Sequence, residues 1–175
     1  MLHQQFQPEP TQPSADEFRA AMRHFPGNVS VITVGTGDER SGLVVTSAVS
    51  LAAEPPMVIA CVNRSSSSWP LLRRFGHFGV NSLSARQAEI ADRFAGRGGV
   101  KGADRYANAE WLTLETGAPL LSDATVALDC AREEMIDRAS HSIVIGRVKA
   151  IRVNEGRGAL VYWHGSYHPL PPLEA

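Results

Sequence analysis

Two short segments of this chain gather hydroxyl groups on extended backbone. The first is Gly42-Leu43-Val44-Val45-Thr46-Ser47-Ala48-Val49-Ser50, and the second is Cys61-Val62-Asn63-Arg64-Ser65-Ser66-Ser67-Ser68-Trp69-Pro70. In the second, a strand end runs into four serines and then into a short helix with Pro70 in its first turn. Hydroxyl donors, free backbone N–H groups and the positive end of a helix dipole together suit a phosphate. Arg64 adds a cation, and three or four charge-assisted hydrogen bonds of about 1.5–3 kcal/mol each would anchor a phosphorylated ligand. Taken singly, the segments also admit plainer readings: a solvated Ser-rich turn, and polar side chains on an edge strand.

Other chemistries are written less well. Gly35-Thr36-Gly37 is followed by Asp38-Glu39-Arg40 and a strand, where a dinucleotide-binding glycine turn needs a helix. Gly96-Arg97-Gly98-Gly99-Val100-Lys101-Gly102 lacks the Ser/Thr after its lysine and the spacing of a phosphate loop, so it reads as a flexible connection. His164 and His168 stand four apart, but Gly165 and Pro169 oppose a helix that would bring them to one face. No metal site is expected. The serines also lack a nucleophile-elbow context.

Composition narrows the classes further. The 175 residues fit one domain, with 43% apolar and 20% charged residues typical of a globular chain. A net charge of −1, with 15 Arg and two Lys mostly scattered singly, supplies no basic field for nucleic acid or anionic lipid. Apolar runs such as Met57 to Val62 fall far short of the roughly 20 residues needed to span a bilayer. The Gln/Pro-rich start carries no apolar export signal. Cys61 and Cys130, without metal spacing, are expected as free thiols, which fits a reducing cytoplasm.

These residues need a frame. Residues 1–13 read as a flexible tail, 14–171 as the domain and 172–175 as a second tail. Ser14 with Glu17 forms a capping box for a first helix whose Phe18, Met22 and Phe25 share a face, and Pro26-Gly27 ends it. Strands are expected over 29–34 and 41–51 as a hairpin, then over 57–63, 78–83, 111–115, 124–133, 141–153 and 160–164. A second short helix starts at Trp69-Pro70, and Ser84 with Gln87 opens a third running to Phe94 and Ala95. Gly96 to Asn108 reads as a mobile connection. Strands linked mostly by turns rather than helices give a mainly β fold: an antiparallel barrel or sandwich with Greek-key connections and a few short peripheral helices.

The motifs in order carry a resemblance. They are Phe25 to Thr33, Gly42 to Ser50 with Glu54-Pro55-Pro56, Cys61 to Ser66, Phe78 to Leu83, Arg93-Phe94-Ala95, Gly117 to Leu121, His141 with Ile145 to Val148, and Tyr162 with Gly165-Ser166-Tyr167. From Phe18 to Leu170 the chain resembles the flavin reductase-like family. Its members are FMN-binding split β-barrels, including short-chain NAD(P)H:flavin oxidoreductases that serve two-component monooxygenases. The resemblance implies hydride transfer from NADH or NADPH to FMN or FAD, a homodimer, and a separate monooxygenase partner.

It also implies roles. Thr46 and Ser47, with the adjoining backbone, would contact the isoalloxazine edge. Asn63, Ser66 and Ser68, near the helix N-terminus at Trp69, would hold the ribityl and phosphate groups, with Val45, Ser50, Cys61, Val62 and Trp69 as further flavin contacts. Asn81, Phe94 and Tyr167 complete the expected flavin site, and His141 takes the place of the family's catalytic-side histidine. The family pattern is broken in three places. Val44 stands for a frequent Thr, Ala48 for a frequent Phe, and Ala139-Ser140 for Gly-Asp before His141. The last removes a carboxylate that could orient the imidazole, so a non-catalytic flavin- or haem-type carrier, and a ligand-free interaction barrel, stay open as other readings. For His141 a satisfied strand-start histidine stays open as well.

Overall fold

The structure, a computed structural model, describes residues 12–173. The tail expected over 1–13 therefore lies, up to residue 11, outside the described residues, as do the last two of 172–175. Helix α1 (Ala15–Met22) begins with both halves of the predicted capping box: Ser14 Oγ accepts from the Glu17 N–H, and the Ser14 N–H donates to the Glu17 carboxylate. No residue of α1 is buried, so its apolar stripe faces outward.

The strands that follow are β1 (Gly27–Asn28), β2 (Ser30–Val34), β3 (Ser41–Val45), β4 (Val49–Ala53) and β5 (Pro56–Asn63). Helix α2 (Trp69–Arg74) precedes β6 (His77–Ser82), and α3 (Ala88–Phe94) precedes the two-residue strands β7 (Trp111–Leu112) and β8 (Leu120–Leu121). The chain ends in β9 (Val126–Arg138), β10 (His141–Val153), β11 (Ala159–Trp163) and β12 (Ser166–Leu170). Seven strands form one antiparallel sheet in the order β3-β2-β6-β9-β10-β5-β4, and β1-β11-β12 form a smaller one.

The expected single strand over 41–51 is two strands. β3 and β4 are consecutive in the chain yet sit at opposite edges of the seven-stranded sheet, joined only by Thr46, Ser47 and Ala48. Four Cα steps reach at most about 15 Å, whereas the edges of a flat seven-stranded sheet would stand about 29 Å apart. The sheet must curl until its edges nearly meet. The mainly β, antiparallel split barrel expected from the sequence is the result.

Its interior is filled by alternate residues of the curled strands, including Ile32, Val34, Val58, Ala60, Val62, Phe78, Val80, Cys130 and Val144, and α2 packs against them through Leu72. A second core lies between the outer wall and α3: Val29, Val31, Leu83, Phe94, Tyr106, Leu120 and Leu160. Here the reading of 96–108 as a loose connection is corrected, because Arg105 and Tyr106 are buried and bonded inward. The Tyr106 hydroxyl donates to Ser41 O, and the Arg105 guanidinium donates to Gly42 O. The second capping box is half formed: the Ser84 N–H donates to Gln87 Oε1, but α3 starts only after Gln87. β12 was not expected, since Pro169 and the His164-Gly165 turn mask it. Among the described residues no helix is long and apolar enough to cross a membrane.

Candidate functional site

The meeting of the two sheet edges makes a cleft of about 470 Å³. It is lined by β3 and the crossing segment (Leu43 to Ser47), by Cys61 and Asn63 of β5, by His141 of β10, and by Val29, Ala95, Arg97, Tyr162 and Tyr167.

Ser47 sets its geometry. β4 pairs with β5 as far as Val49 opposite Ile59, so two residues further along that register Ser47 would stand opposite Cys61. The backbone of Ser47 does not continue the ladder. Its side chain does: Ser47 Oγ accepts from the Cys61 N–H (3.0 Å) and donates to Cys61 O (3.2 Å). Asn28 ties the same crossing from the other side, its side-chain amide donating to Ala48 O at 2.8 Å. Gly27 lets the crossing lie close, because a Cβ there would stand 2.7 Å from Thr46 Cβ.

The neighbouring edge of β3 is open. Gly42 O points away from β2, where it accepts from Ser68 Oγ (2.8 Å) and Arg105. Strand alternation places the N–H and C=O of Val44 on that same open edge, above the cleft. A row of backbone donors and acceptors thus borders an apolar wall of Val29, Leu43 and Val45.

Across the cleft, Asn63 and His141 are directly paired residues of β5 and β10. Asn63 Oδ1 accepts from both the N–H and the hydroxyl of Ser65 at 2.9 Å, which shapes the serine loop and leaves the side-chain NH₂ as the outward donor. The Arg64 N–H donates to Ser140 O, joining that loop to the β9–β10 turn. Ser140 Oγ lies 2.9 Å from His141 Nδ1, so a hydroxyl now orients the ring where the family commonly has a carboxylate. Ala139, where a glycine is frequent, holds φ at +47°. Burial and the nearby Asp92 carboxylate raise the Tyr167 phenol above its ordinary range.

Of the fourteen residues expected at the site, the structure brings seven together: Val45, Thr46, Ser47, Cys61, Asn63, Tyr167 and His141. The others stand apart from the cleft, each for a visible reason. Ser50 is exposed on edge strand β4, and Val62 points into the barrel interior. Ser66 is part of the turn, accepting from the Ser68 N–H. Ser68 is wholly buried, its hydroxyl engaged with Ser41 and Gly42, and it does not line the cleft. Trp69 donates from its indole to Ser142 Oγ and fixes α2 to β10. Asn81 crosslinks Val31 O, Thr33 and the Leu121 N–H within the second core. Phe94 packs beneath Gly42 against Tyr106 and Trp111.

Arg97 and Tyr162 were missed. Tyr162 could have been found from hairpin register, since it pairs directly with Tyr167. Arg97 carried only the weak signal of a lone cation among glycines.

Residues 22–171 match the family described as flavin reductase like domain. The chain is 36% identical over 163 residues to the FMN reductase (NADH) RutF 2 of Methylorubrum extorquens, covering 93% of this chain and 94% of that protein. It is 34% identical over 165 residues to the protein of the same name from Rhizobium rhizogenes, covering 92% and 94%. Among solved structures it superposes on the NADH:FAD oxidoreductase SgcE6 of Streptomyces globisporus with TM-score 0.83, 29% identity, and 94% and 98% coverage. BorF, the flavin reductase component of a bacterial two-component tryptophan halogenase, gives TM-score 0.83 at 30% identity, with 91% and 100% coverage. With a family match over most of its length and relatives above 30% identity across nine-tenths of it, the chain belongs to the flavin reductase-like family.

Proposed function

We propose that this flavin reductase seats its flavin in the seam between β3 and β5 and passes to it a hydride from NAD(P)H, with FMN and NADH as the working pair. The observation that carries the reading is the open edge of β3 at Val44, facing Asn63 and His141 across an apolar-walled cleft. The donor set fits a flavin. An isoalloxazine ring needs an apolar face and an edge of alternating donors and acceptors, which Val29, Leu43 and Val45 and the Val44 backbone supply. A bound flavin contributes the hydride-accepting ring, and reduced nicotinamide contributes the hydride.

The chain's own residues bind and align. Thr46 and the freed backbone of Ser47 border the ring position, and the Ser47–Cys61 bonds hold that border fixed. The Asn63 amide stands ready to donate toward the ribityl side. His141, oriented by Ser140, offers Nε2 as a donor where negative charge develops on reduction. No nucleophile is needed, so loss of any one group lowers rate in a graded way through positioning.

The names of the relatives support NADH and FMN, and two free thiols suit a cytoplasmic home. The exposed apolar stripe of α1 (Phe18, Met22) with Phe25 supports a homodimer, and the open cleft supports release of reduced flavin to a separate oxygenase. The test is NADH oxidation followed anaerobically at the reduced-nicotinamide band, with FMN, FAD or no flavin added. Flavin-dependent loss of absorbance is expected, fastest with FMN and NADH. No loss with any pair of nucleotides sinks the reading.

A further inference from the structure

Among the described residues, Arg97 is the only guanidinium that lines the cleft, and no carboxylate lines it. Both ligands of a flavin reductase carry phosphoryl groups, so a cleft whose described lining holds one guanidinium and no acidic side chain is suited to them. Arg97 sits in a single 3-10 turn (Arg97–Gly99) between Gly96 at φ +79° and Gly98 at φ +69°. A side chain at Gly98 or Gly99 would meet nothing within 4 Å, so the space beside the turn is open. Its side chain is 61% exposed, and its guanidinium rests 3.0 Å from Asp92 Oδ1 and 5.8 Å from the centre of the Tyr167 ring.

We propose that Arg97 is a phosphoryl-reading residue for the nucleotides of this cleft, parked on Asp92 over Tyr167 and transferred to the phosphate or pyrophosphate of the ligand when one binds. The proposal rests on the flavin reductase reading of the same cleft. Gly96 and Gly98 flank Arg97 with open space beside the turn, Asp92 supplies a resting partner, and Tyr167 supplies a flat surface on which a guanidinium stacks. The contact with Asp92 Oδ1 is a charge contact without a hydrogen bond, made from an arginine that is itself largely exposed, whereas an Arg–phosphate pair is bidentate and strong.

The experiment compares wild type with Arg97→Ala, Arg97→Lys and Asp92→Asn, each checked for folding by circular dichroism. Dissociation constants for FMN and for phosphate-free riboflavin come from flavin fluorescence. NADH is compared with reduced nicotinamide mononucleotide, which lacks the pyrophosphate bridge, and NAD⁺ binding to the flavin-loaded protein is measured by calorimetry. R97A is expected to weaken one phosphorylated ligand roughly 10- to 100-fold while sparing its truncated counterpart, with R97K intermediate. A loss for FMN but not riboflavin assigns Arg97 to the flavin phosphate. A loss for NAD⁺ and NADH, with FMN unchanged, assigns it to the nicotinamide donor. D92N is expected to keep or improve affinity, because it frees the cation. R97A matching wild type for all ligands overturns the proposal, as does a D92N loss equal to that of R97A, which would make the pair merely structural. If wild type itself binds no flavin, it is the functional reading that has failed.

Discussion

Replacing Ser47 with alanine should loosen the barrel and the cleft together. The Ser47 hydroxyl continues the β4–β5 ladder by one pair, satisfying both the N–H and the C=O of Cys61. Without it, Cys61 keeps a donor with no protein acceptor at a half-buried seam. A buried unsatisfied donor costs about 1–3 kcal/mol, and water entering from the cleft relieves part of that, leaving about 1–2 kcal/mol. For a chain of this length each kcal/mol moves the melting point about 2–4 °C, so the fall should be about 2–8 °C. The freed crossing segment also carries Thr46 and the edge of the proposed ring site. FMN affinity should drop about tenfold for each 1.4 kcal/mol of ordering that ligand must restore. Thermal melts with and without FMN, alongside fluorescence titration, measure both effects, and Ser47→Thr retains the hydroxyl as control. An S47A protein that melts within about one degree of wild type and binds FMN equally well would refute the account of the seam.

Three further outcomes follow from other positions. Ala139→Gly should stabilise the protein by about 0.5–1 kcal/mol in urea unfolding, since an alanine at φ +47° carries a left-handed penalty that glycine avoids. In the native protein a thiol reagent should modify Cys61, which lines the cleft, more slowly when FMN is present. Cys130 should react only after unfolding, because burial, with some help from Asp129, pushes its thiol up to about 12; mass spectrometry of the labelled peptides distinguishes the two. His77 has its pKa lowered chiefly by burial, against an opposing pull from Asp129. The unfolded chain therefore takes up that proton more readily than the native one, so stability is lost as pH falls from about 6.5 toward the depressed native value. His77→Gln should flatten that limb of the pH–stability profile, and an unchanged limb would exclude His77 as its source.

Much of the frame was legible because local signals there agree with the tertiary result. The Ser14–Glu17 box, the β-branched run of β2, and the span of β10 from His141 to Val153 all appear as the sequence indicates. What failed was long-range. Thr46 to Ala48 continue the strand pattern of their neighbours, and only the pairing of β3 with β2 and β4 with β5 reveals a crossing. The serine loop shows the same limit at the site. Ser66 and Ser68 are expected beside Asn63 at a phosphate, yet Ser68 is buried under β3, and Asn63 orders Ser65. Residues that act through their neighbours, such as Phe94 beneath Gly42, are indistinguishable in sequence from residues that face a ligand.

The open rim at Val44 has an evolutionary corollary. Recognition written in amide groups is blind to the identity of the side chain hung beside it, so mutational drift at that point passes unpunished provided the strand keeps its spacing. Valine at position 44 can thus stand where the family resemblance leads one to expect threonine. What such a rim does not tolerate is an insertion or deletion, because one added residue shifts the whole row of donors and acceptors by a step and turns it to the opposite face.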